Sequence, residues 1–122
     1  MNTRIKMLVV DDNKELRQSL CEQFLQEGFE VDLAEDGDIA LEMIKQKEYA
    51  IVLLDVKMPR MDGTTVLQEL QKIHTYPKVI MLSVMNDIAI ALECVKRGAQ
   101  DYITKPYDPE ELLQVVMKVL NK

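Results

Sequence analysis

Five side chains able to handle charge stand where apolar runs of the sequence end. They are three carboxylates, a hydroxyl and an ammonium group, at positions Asp11, Asp12, Asp55, Ser83 and Lys105. Carboxylates are hard oxygen ligands for divalent cations, a hydroxyl donates hydrogen bonds, and an ammonium group offsets negative charge. If the fold brings them together, the set can hold a metal ion and a phosphate beside it.

Taken singly, each of these residues has an ordinary structural interpretation. The pair Asp11 and Asp12 could cap a helix, a role that Asn13 could share. Ser83 could cap the helix that follows it, and Lys105 could be a solvated loop residue. It is their joint occurrence at strand ends on one side of a sheet that favours a shared chemical site.

The elements that must position these residues alternate between short apolar runs and helical stretches. The apolar runs predict five strands, at residues 7–10, 31–34, 50–54, 79–82 and 102–104. Apolar residues at helical spacing predict five helices, around residues 16–24, 40–44, 66–73, 88–95 and 112–120. The alternation predicts one α/β domain over residues 1–122, a five-stranded parallel sheet flanked by five helices.

The character of the strands predicts their order. Runs 7–10 and 50–54 are apolar throughout, as strands covered on both faces are, whereas the second run alternates as an edge strand does. This favours the flavodoxin-like order 2-1-3-4-5, the (βα)5 arrangement, in which strands 1 and 3 are neighbours. Because ligands bind beyond the carboxyl ends of such strands, Asp11, Asp12 and Asp55 are expected to share one cleft.

Three carboxylates in one cleft need a compensating charge. At a few Å each pair repels by roughly 4 kcal/mol at an effective dielectric of about 20, and one ammonium group, that of Lys105, cannot offset three. Mg²⁺ suits the site because it accepts one or two carboxylates together with waters and a phosphate. We therefore predict a Mg²⁺ site at Asp11, Asp12 and Asp55.

The composition narrows the classes of function. The net charge of −6 argues against attraction to nucleic acid or anionic membrane surfaces. No apolar run approaches the length of a membrane span and no signal-peptide core is visible, so a cytoplasmic location without membrane contact is expected. Cys21 and Cys94 lack metal-ligand spacing and are predicted to be reduced, buried thiols. The single histidine, His74, is predicted to be a loop residue.

At these motifs the sequence resembles the receiver domain of bacterial two-component response regulators, the superfamily of the chemotaxis regulators. The matching segments are VVDDN at 9–13, LLDVKMPRMDG at 53–63, MLSV at 81–84 and GAQDYITKPYDPEEL at 98–112. The resemblance covers essentially the whole chain. It implies a phosphorylation-dependent signalling switch in a two-component phosphorelay. Such a protein is not an enzyme in the usual sense, since it catalyses only its own phosphorylation and dephosphorylation.

The resemblance also implies roles for individual residues. Asp55 would accept a phosphoryl group from the phosphohistidine of a sensor histidine kinase or phosphotransfer protein. Mg²⁺ would be bound by Asp12 directly, by Asp11 largely through water, by the Asp55 carboxylate and by the backbone carbonyl of Lys57. Lys105 would offset charge on the transferring oxygens.

The output implied by the resemblance is a change of surface. Ser83 would move toward the aspartyl phosphate, and Tyr102 would swing from an exposed to a buried position in the vacated space. The surface of the fourth helix, fifth strand and fifth helix would then control a downstream effector protein or an attached output domain. A homodimer on phosphorylation is a further expectation, and direct nucleic-acid binding by this chain is not expected.

Some residues near the predicted site refine these expectations. Val84 stands where the family favours a very small side chain, so it is expected to impede access of small phosphoryl donors. Lys57 and Met85 occupy positions that tune the attacking water in this family. Gly63 is expected to give backbone freedom to the loop beside Asp55.

Three rival interpretations stay open on the sequence. A phosphatase that forms an aspartyl phosphate typically has an Asp-x-Asp loop, but Lys57 stands at the second acid position and no residues remain for a cap. A flavin-binding module would want a phosphate-binding loop after the first strand, where this chain has acids. A degenerate receiver that serves only as an interaction scaffold is the third, and the intact acidic set argues against it.

Overall fold

The computed structural model describes residues 4–73 and 77–122. His74 therefore lies outside the described residues. Strands and helices alternate along the chain: β1 Lys6–Val10, α1 Lys14–Gln26, β2 Glu30–Ala34, α2 Gly37–Gln46, β3 Ile51–Asp55, α3 Gly63–Leu70, β4 Lys78–Val84, α4 Ile88–Lys96, β5 Asp101–Lys105 and α5 Pro109–Leu120. A single 3₁₀ turn, Met85–Asp87, joins β4 to α4.

The five strands form one parallel sheet in the order β2-β1-β3-β4-β5, which confirms the predicted fold. The register aligns Val10 with Leu54 across β1 and β3, so both strands end at the same edge of the sheet. Most boundaries differ from the prediction by one or two residues, and two differences bear on the site or the helices beside it. β4 continues two residues further, to Val84, and α3 already ends at Leu70.

The sheet separates two apolar layers, because successive strand side chains point to opposite faces. On one face Leu8, Val52 and Met81 pack with residues of α2, α3 and α4. On the other face a second cluster includes Phe24 of α1 and Val116 of α5. Every residue of β3 is buried, as its continuous apolar run predicts, and this central position fixes where the strand ends.

The helix ends carry the expected signals. Asn13 caps α1 by accepting the Leu16 N–H at 3.0 Å, and Asp108 caps α5 directly before Pro109. Gly28 and Gly98, which follow α1 and α4, have positive φ angles of 90° and 128°. This is the backbone region that closes helices at glycine.

Burial tests the prediction for the two cysteines and shows which apolar residues of α4 face outward. Cys21 and Cys94 are both free thiols, but only Cys94 is buried, whereas Cys21 is half-buried. On α4, Ile90 is half-buried and Leu92 is 45% exposed, so the apolar character of this helix extends to its outer face. Within the described ranges, no helix combines the length and the apolar character that crossing a bilayer requires.

Candidate functional site

The three predicted acids meet at the carboxyl edge of the sheet. Asp11 directly follows β1, and Asp55 is the last residue of β3. Carboxylate oxygens of Asp11, Asp12 and Asp55 lie within 4.8 Å of one another. Asp11 is fully buried and Asp55 is 6% exposed, whereas Asp12 is exposed. The acidic cluster thus has a buried floor and an open side.

Lys105 faces the same cluster from the end of β5. Its Nζ donates to Asp11 Oδ2 at 2.6 Å and lies 3.3 Å from Asp55 Oδ1. The peptide bond between Lys105 and Pro106 is cis. Through its two Nζ contacts Lys105 bridges carboxylates that are 44 residues apart in the chain, which the strand order alone does not guarantee.

The environment shifts the ionisation of this pair in a consistent direction. Burial, reinforced by the charge of Asp11, raises the pKa of Asp55 to about 7, although Lys105 acts in the opposite sense. Burial tends to lower the pKa of Lys105, but the hydrogen bond to Asp11 and the charge of Asp55 outweigh it and raise that pKa. The cluster therefore holds more negative charge than its lysine balances.

The donor set fits a divalent cation. Three carboxylates supply hard oxygen ligands, and one ammonium group leaves an excess of negative charge in a partly dry cleft. The helix-cap interpretation does not account for these acids, because Asn13 caps α1. Asp11 instead uses Oδ1 to accept the Asn13 N–H at 2.9 Å and turns Oδ2 to Lys105.

The predicted switch residues lie beside the cluster. Ser83 is fully buried, and its Oγ donates to the Val84 carbonyl at 2.9 Å, so it does not cap the following helix. Tyr102 is half-buried and packs against the apolar layer that contains α4. Their roles as switch residues stay predictions.

The residues after Ser83 form an open, apolar mouth. Val84 is 46% exposed and Met85 is 70% exposed. The Lys57 side chain is also exposed, in the segment between β3 and α3. The use of the Lys57 backbone carbonyl as a metal ligand stays a prediction.

Gly63 is required for a different reason from the one predicted. Its φ is not positive, so backbone freedom is the wrong explanation. A Cβ at Gly63 would overlap the carbonyl oxygen of Asp55, and the Gly63 N–H donates to the Val56 carbonyl at 2.8 Å. Glycine lets the start of α3 approach the backbone of Asp55.

One contact near the site was not predicted from the sequence. Arg60, in the same segment as Lys57, has a φ of 68° and pairs with the buried carboxylate of Asp36 at the start of α2. The turn chemistry of Pro59 and Arg60 and the cap residue Asp36 were the available signals. Neither signal specifies that the two segments touch.

Comparisons with known proteins agree with this geometry. Residues 7–117 match the family model described as the response regulator receiver domain. The chain is similar to the chemotaxis protein CheY of Bacillus subtilis (strain 168), with 34% identity over 117 residues that make up 95% of this chain and 98% of that protein. It is also similar to the probable transcriptional regulator ycf27 of Guillardia theta, with 36% identity over 122 residues, 100% of this chain.

The solved structures give the same result. The receiver domain of NtrX from Brucella abortus matches with a TM-score of 0.90 and 34% identity, covering 95% of this chain and 98% of that one. The chain spans about half the length of the ycf27 relative, 48%. These similarities do not favour the phosphatase or the pure interaction scaffold.

Proposed function

This chain belongs to the response regulator receiver domain family, and from that we propose that it is a phosphorylation-dependent switch of a two-component phosphorelay with Asp55 as phosphoacceptor. The observation that supports this most is the convergence of three carboxylates within 4.8 Å around Asp55, with Lys105 Nζ 3.3 Å from its Oδ1. No other group of three potential metal-ligating side chains is found among residues 4–73 and 77–122.

The chain's own residues would do the following. Asp55, ionised, would attack the phosphorus of the donor with one carboxylate oxygen, and the donor's leaving group would depart on the opposite side. Lys105 would donate hydrogen bonds to the phosphoryl oxygens in place of its present contact with Asp55. The buried floor at Asp11 would exclude water from one side of the reacting group and strengthen these charge interactions.

Mg²⁺ is the cation that we propose for the acidic cluster. Asp11, Asp12 and Asp55, with the backbone carbonyl of Lys57, would hold it, and it would supply charge neutralisation on the transferring phosphoryl oxygens. The protein would be a catalyst only of its own phosphorylation and dephosphorylation, with no turnover of other substrates.

Output would pass through Ser83 and Tyr102. A phosphoryl group on Asp55 offers strong acceptor oxygens, and Ser83 Oγ would exchange its Val84 partner for one of them. Tyr102, half-buried beside α4, would follow into the space that Ser83 leaves. The surface of α4, β5 and α5 would then bind an effector, an output domain or a second copy of the chain.

The partners proposed from family membership are a sensor histidine kinase or phosphotransfer protein upstream and an effector or output domain downstream. Among the relatives, ycf27 of Guillardia theta is named a probable transcriptional regulator, and it extends beyond the part that this chain matches. We propose a cytoplasmic location, in keeping with two free thiols.

Intact-mass spectrometry tests the proposal. The protein is incubated with Mg²⁺ and acetyl phosphate, and one phosphoryl addition is expected that disappears in Asp55→Asn and when Mg²⁺ is chelated. Asp38→Asn, at an exposed acid in the first turn of α2, is the matched control and should be phosphorylated like the wild type. An addition that survives in Asp55→Asn would refute the assignment, and release of phosphate from many substrates would favour the phosphatase.

A further inference from the structure

The segment between β3 and α3, residues 56–62, is held from outside by the start of α2. Arg60 pairs through its guanidinium with Oδ2 of Asp36, and Oδ1 of the same carboxylate accepts the Ile39 N–H at 2.9 Å. The Asp36 side chain is 6% exposed, so this carboxylate depends on protein partners rather than on water. Arg60 is the cation that reaches it.

The backbone of this segment is strained at Arg60. Its φ of 68° lies in the left-handed region, which non-glycine residues seldom occupy. The Met61 N–H donates to the Pro59 carbonyl at 2.8 Å, which closes a three-residue turn around Arg60. Such turns with a positive φ at the centre are rare and persist only where neighbouring structure holds them.

The backbone at the start of α2 is also closely packed against segment 56–62. A Cβ at Gly37 would lie 2.8 Å from the Met61 carbonyl oxygen and 2.7 Å from Cγ2 of Val66. The start of α2 therefore lies directly against the segment. Directly after the segment, Gly63 at the start of α3 abuts the Asp55 carbonyl. The segment thus contacts the start of α2 at Met61, and the helix that follows the segment contacts the backbone of Asp55.

From these contacts we propose that Asp36 and Arg60 are positioning residues, whose ion pair fixes segment 56–62 so that its backbone is pre-organised for the cation at Asp55. The inference rests on the proposed function, since it concerns the same site. It adds Asp36, at the start of α2, and Arg60, in segment 56–62, to the residues that determine the affinity of the site for the cation. Both lie outside the acidic cluster.

The effect is electrostatic and geometric, so conservative variants can isolate it. Asp36→Asn keeps the side-chain oxygen that caps α2 but removes the charge that Arg60 needs. Arg60→Gln keeps a donor and removes the cation. If the ion pair acts as one unit, the double variant should be no worse than the more damaging single variant.

The first readout needs no metal. Hydrogen exchange is measured by NMR on the metal-free protein for the amides of Met61 and Gly63, which donate within this segment. Both variants should raise these exchange rates about tenfold, while amides of β1 keep their protection. Lys47→Gln is the control, because it removes different ion pairs, those with Glu30 and Asp32 of β2, at the opposite end of α2.

The second readout is the dissociation constant for Mg²⁺ from titration calorimetry. Each variant should raise it about tenfold, as loss of a residue that orients a metal site does, and Lys47→Gln should leave it within about twofold of the wild type. The inference is overturned if the wild type binds Mg²⁺ and both variants bind it equally well, even if exchange rises. A wild type without Mg²⁺ binding would instead refute the proposed cation site, and unchanged exchange would then still overturn the positioning role of the ion pair.

Discussion

The folded structure disfavours the ionised form of the Asp55 carboxylate, although the proposed reaction requires that form. The carboxylate is buried beside Asp11, and the two effects together raise its pKa to about 7 despite Lys105. A nucleophilic carboxylate must be ionised to react. Without a cation the site therefore holds a group that is only partly ionised near neutral pH, and a bound dication would favour the ionised form.

This shift predicts how stability depends on pH in the metal-free protein. The pKa of Asp55 is raised from 3.8 to about 7 on folding, so its contribution to stability is present below pH 4 and is lost as pH rises toward 7. Asparagine does not titrate. Relative to the wild type, the free energy of unfolding of Asp55→Asn should therefore increase between pH 4.5 and pH 8, by roughly 3 kcal/mol.

Urea unfolding at both pH values, with a chelator present, measures this difference. Titrating groups that do not interact with Asp55 are common to both proteins and cancel. A relative stability of Asp55→Asn that falls with pH would mean that the carboxylate is stabilised by its surroundings, contrary to the burial and charge described above. Saturating Mg²⁺ should reduce the gain in free energy of unfolding of Asp55→Asn over the wild type, because the cation binds the ionised wild-type site.

The exposed side chain of Val84 leads to a second prediction. It is β-branched and stands at the mouth next to Ser83. Val84→Ala should phosphorylate faster with acetyl phosphate, by about threefold, which is less than about 1 kcal/mol of activation free energy.

The initial rate at saturating Mg²⁺, followed by intact mass, measures the effect of Val84→Ala. Met117→Ala is the control, because Met117 is a similarly exposed apolar residue on α5 away from the mouth. Equal rates for the wild type and Val84→Ala would remove the steric explanation.

The charged residues of the site could be predicted from the sequence because they stand at the ends of strands. Asp11, Asp55 and Lys105 follow apolar runs, and the parallel order brings those ends to one edge. The contact between Asp36 and Arg60 was not predictable, because it depends on the conformation of two loops. The role of Gly63 was misjudged for the same reason: close approach to the Asp55 carbonyl is a tertiary fact.

Among the elements, the start of α1 determines the conformation of the loop between β1 and α1. Asn13 accepts the Leu16 N–H, and its own N–H donates to Asp11 Oδ1. The cap thus separates the helix start from the acids, which leaves Asp11 and Asp12 for the cluster. Arg17 reinforces the loop, since it donates to the Asp11 carbonyl at 2.7 Å.

Removal of the Asn13 cap is predicted to destabilise the protein through α1. Asn13→Ala should lower the free energy of unfolding by about 1 kcal/mol, since alanine cannot accept the Leu16 N–H. Urea unfolding at pH 7 gives the value, and Asn121→Ala, at an exposed residue after α5, should change it by less than about 0.5 kcal/mol. A loss for Asn13→Ala no larger than the control's would show that Asp11 or Asp12 caps the helix instead.

Element types were easier to predict than element ends. The continuous apolar runs of β1 and β3 identified central strands, and the alternating run identified β2 as an edge strand. β4 continues past its apolar run through Ser83 and Val84, because pairing with Thr104 and Lys105 of β5 extends the ladder beyond that run. Such pairing is decided between strands rather than within one.

At the scale of the whole molecule, the fold supports a switch because the site touches several elements. The cluster draws on β1, β3 and β5, and Tyr102 connects β5 to the layer under α4. To shift a population from 1:99 to 99:1, phosphorylation must supply about 5.5 kcal/mol of differential interaction. Contacts from Ser83 and Lys105 to a phosphoryl group are suited to contribute to it.

The proposed switch depends on one claim, that acids distant in the chain hold a single divalent cation beside Asp55. Titration calorimetry of Mg²⁺ into the metal-free protein at pH 7.5 measures this most directly. Glu15→Gln, at an exposed acid in the first turn of α1, is the matched control for Asp12→Asn. We predict one Mg²⁺ per chain in the wild type and in Glu15→Gln, and binding weakened at least tenfold in Asp12→Asn. Equal Mg²⁺ affinity in Asp12→Asn and the wild type, or no binding by the wild type, would contradict the claim.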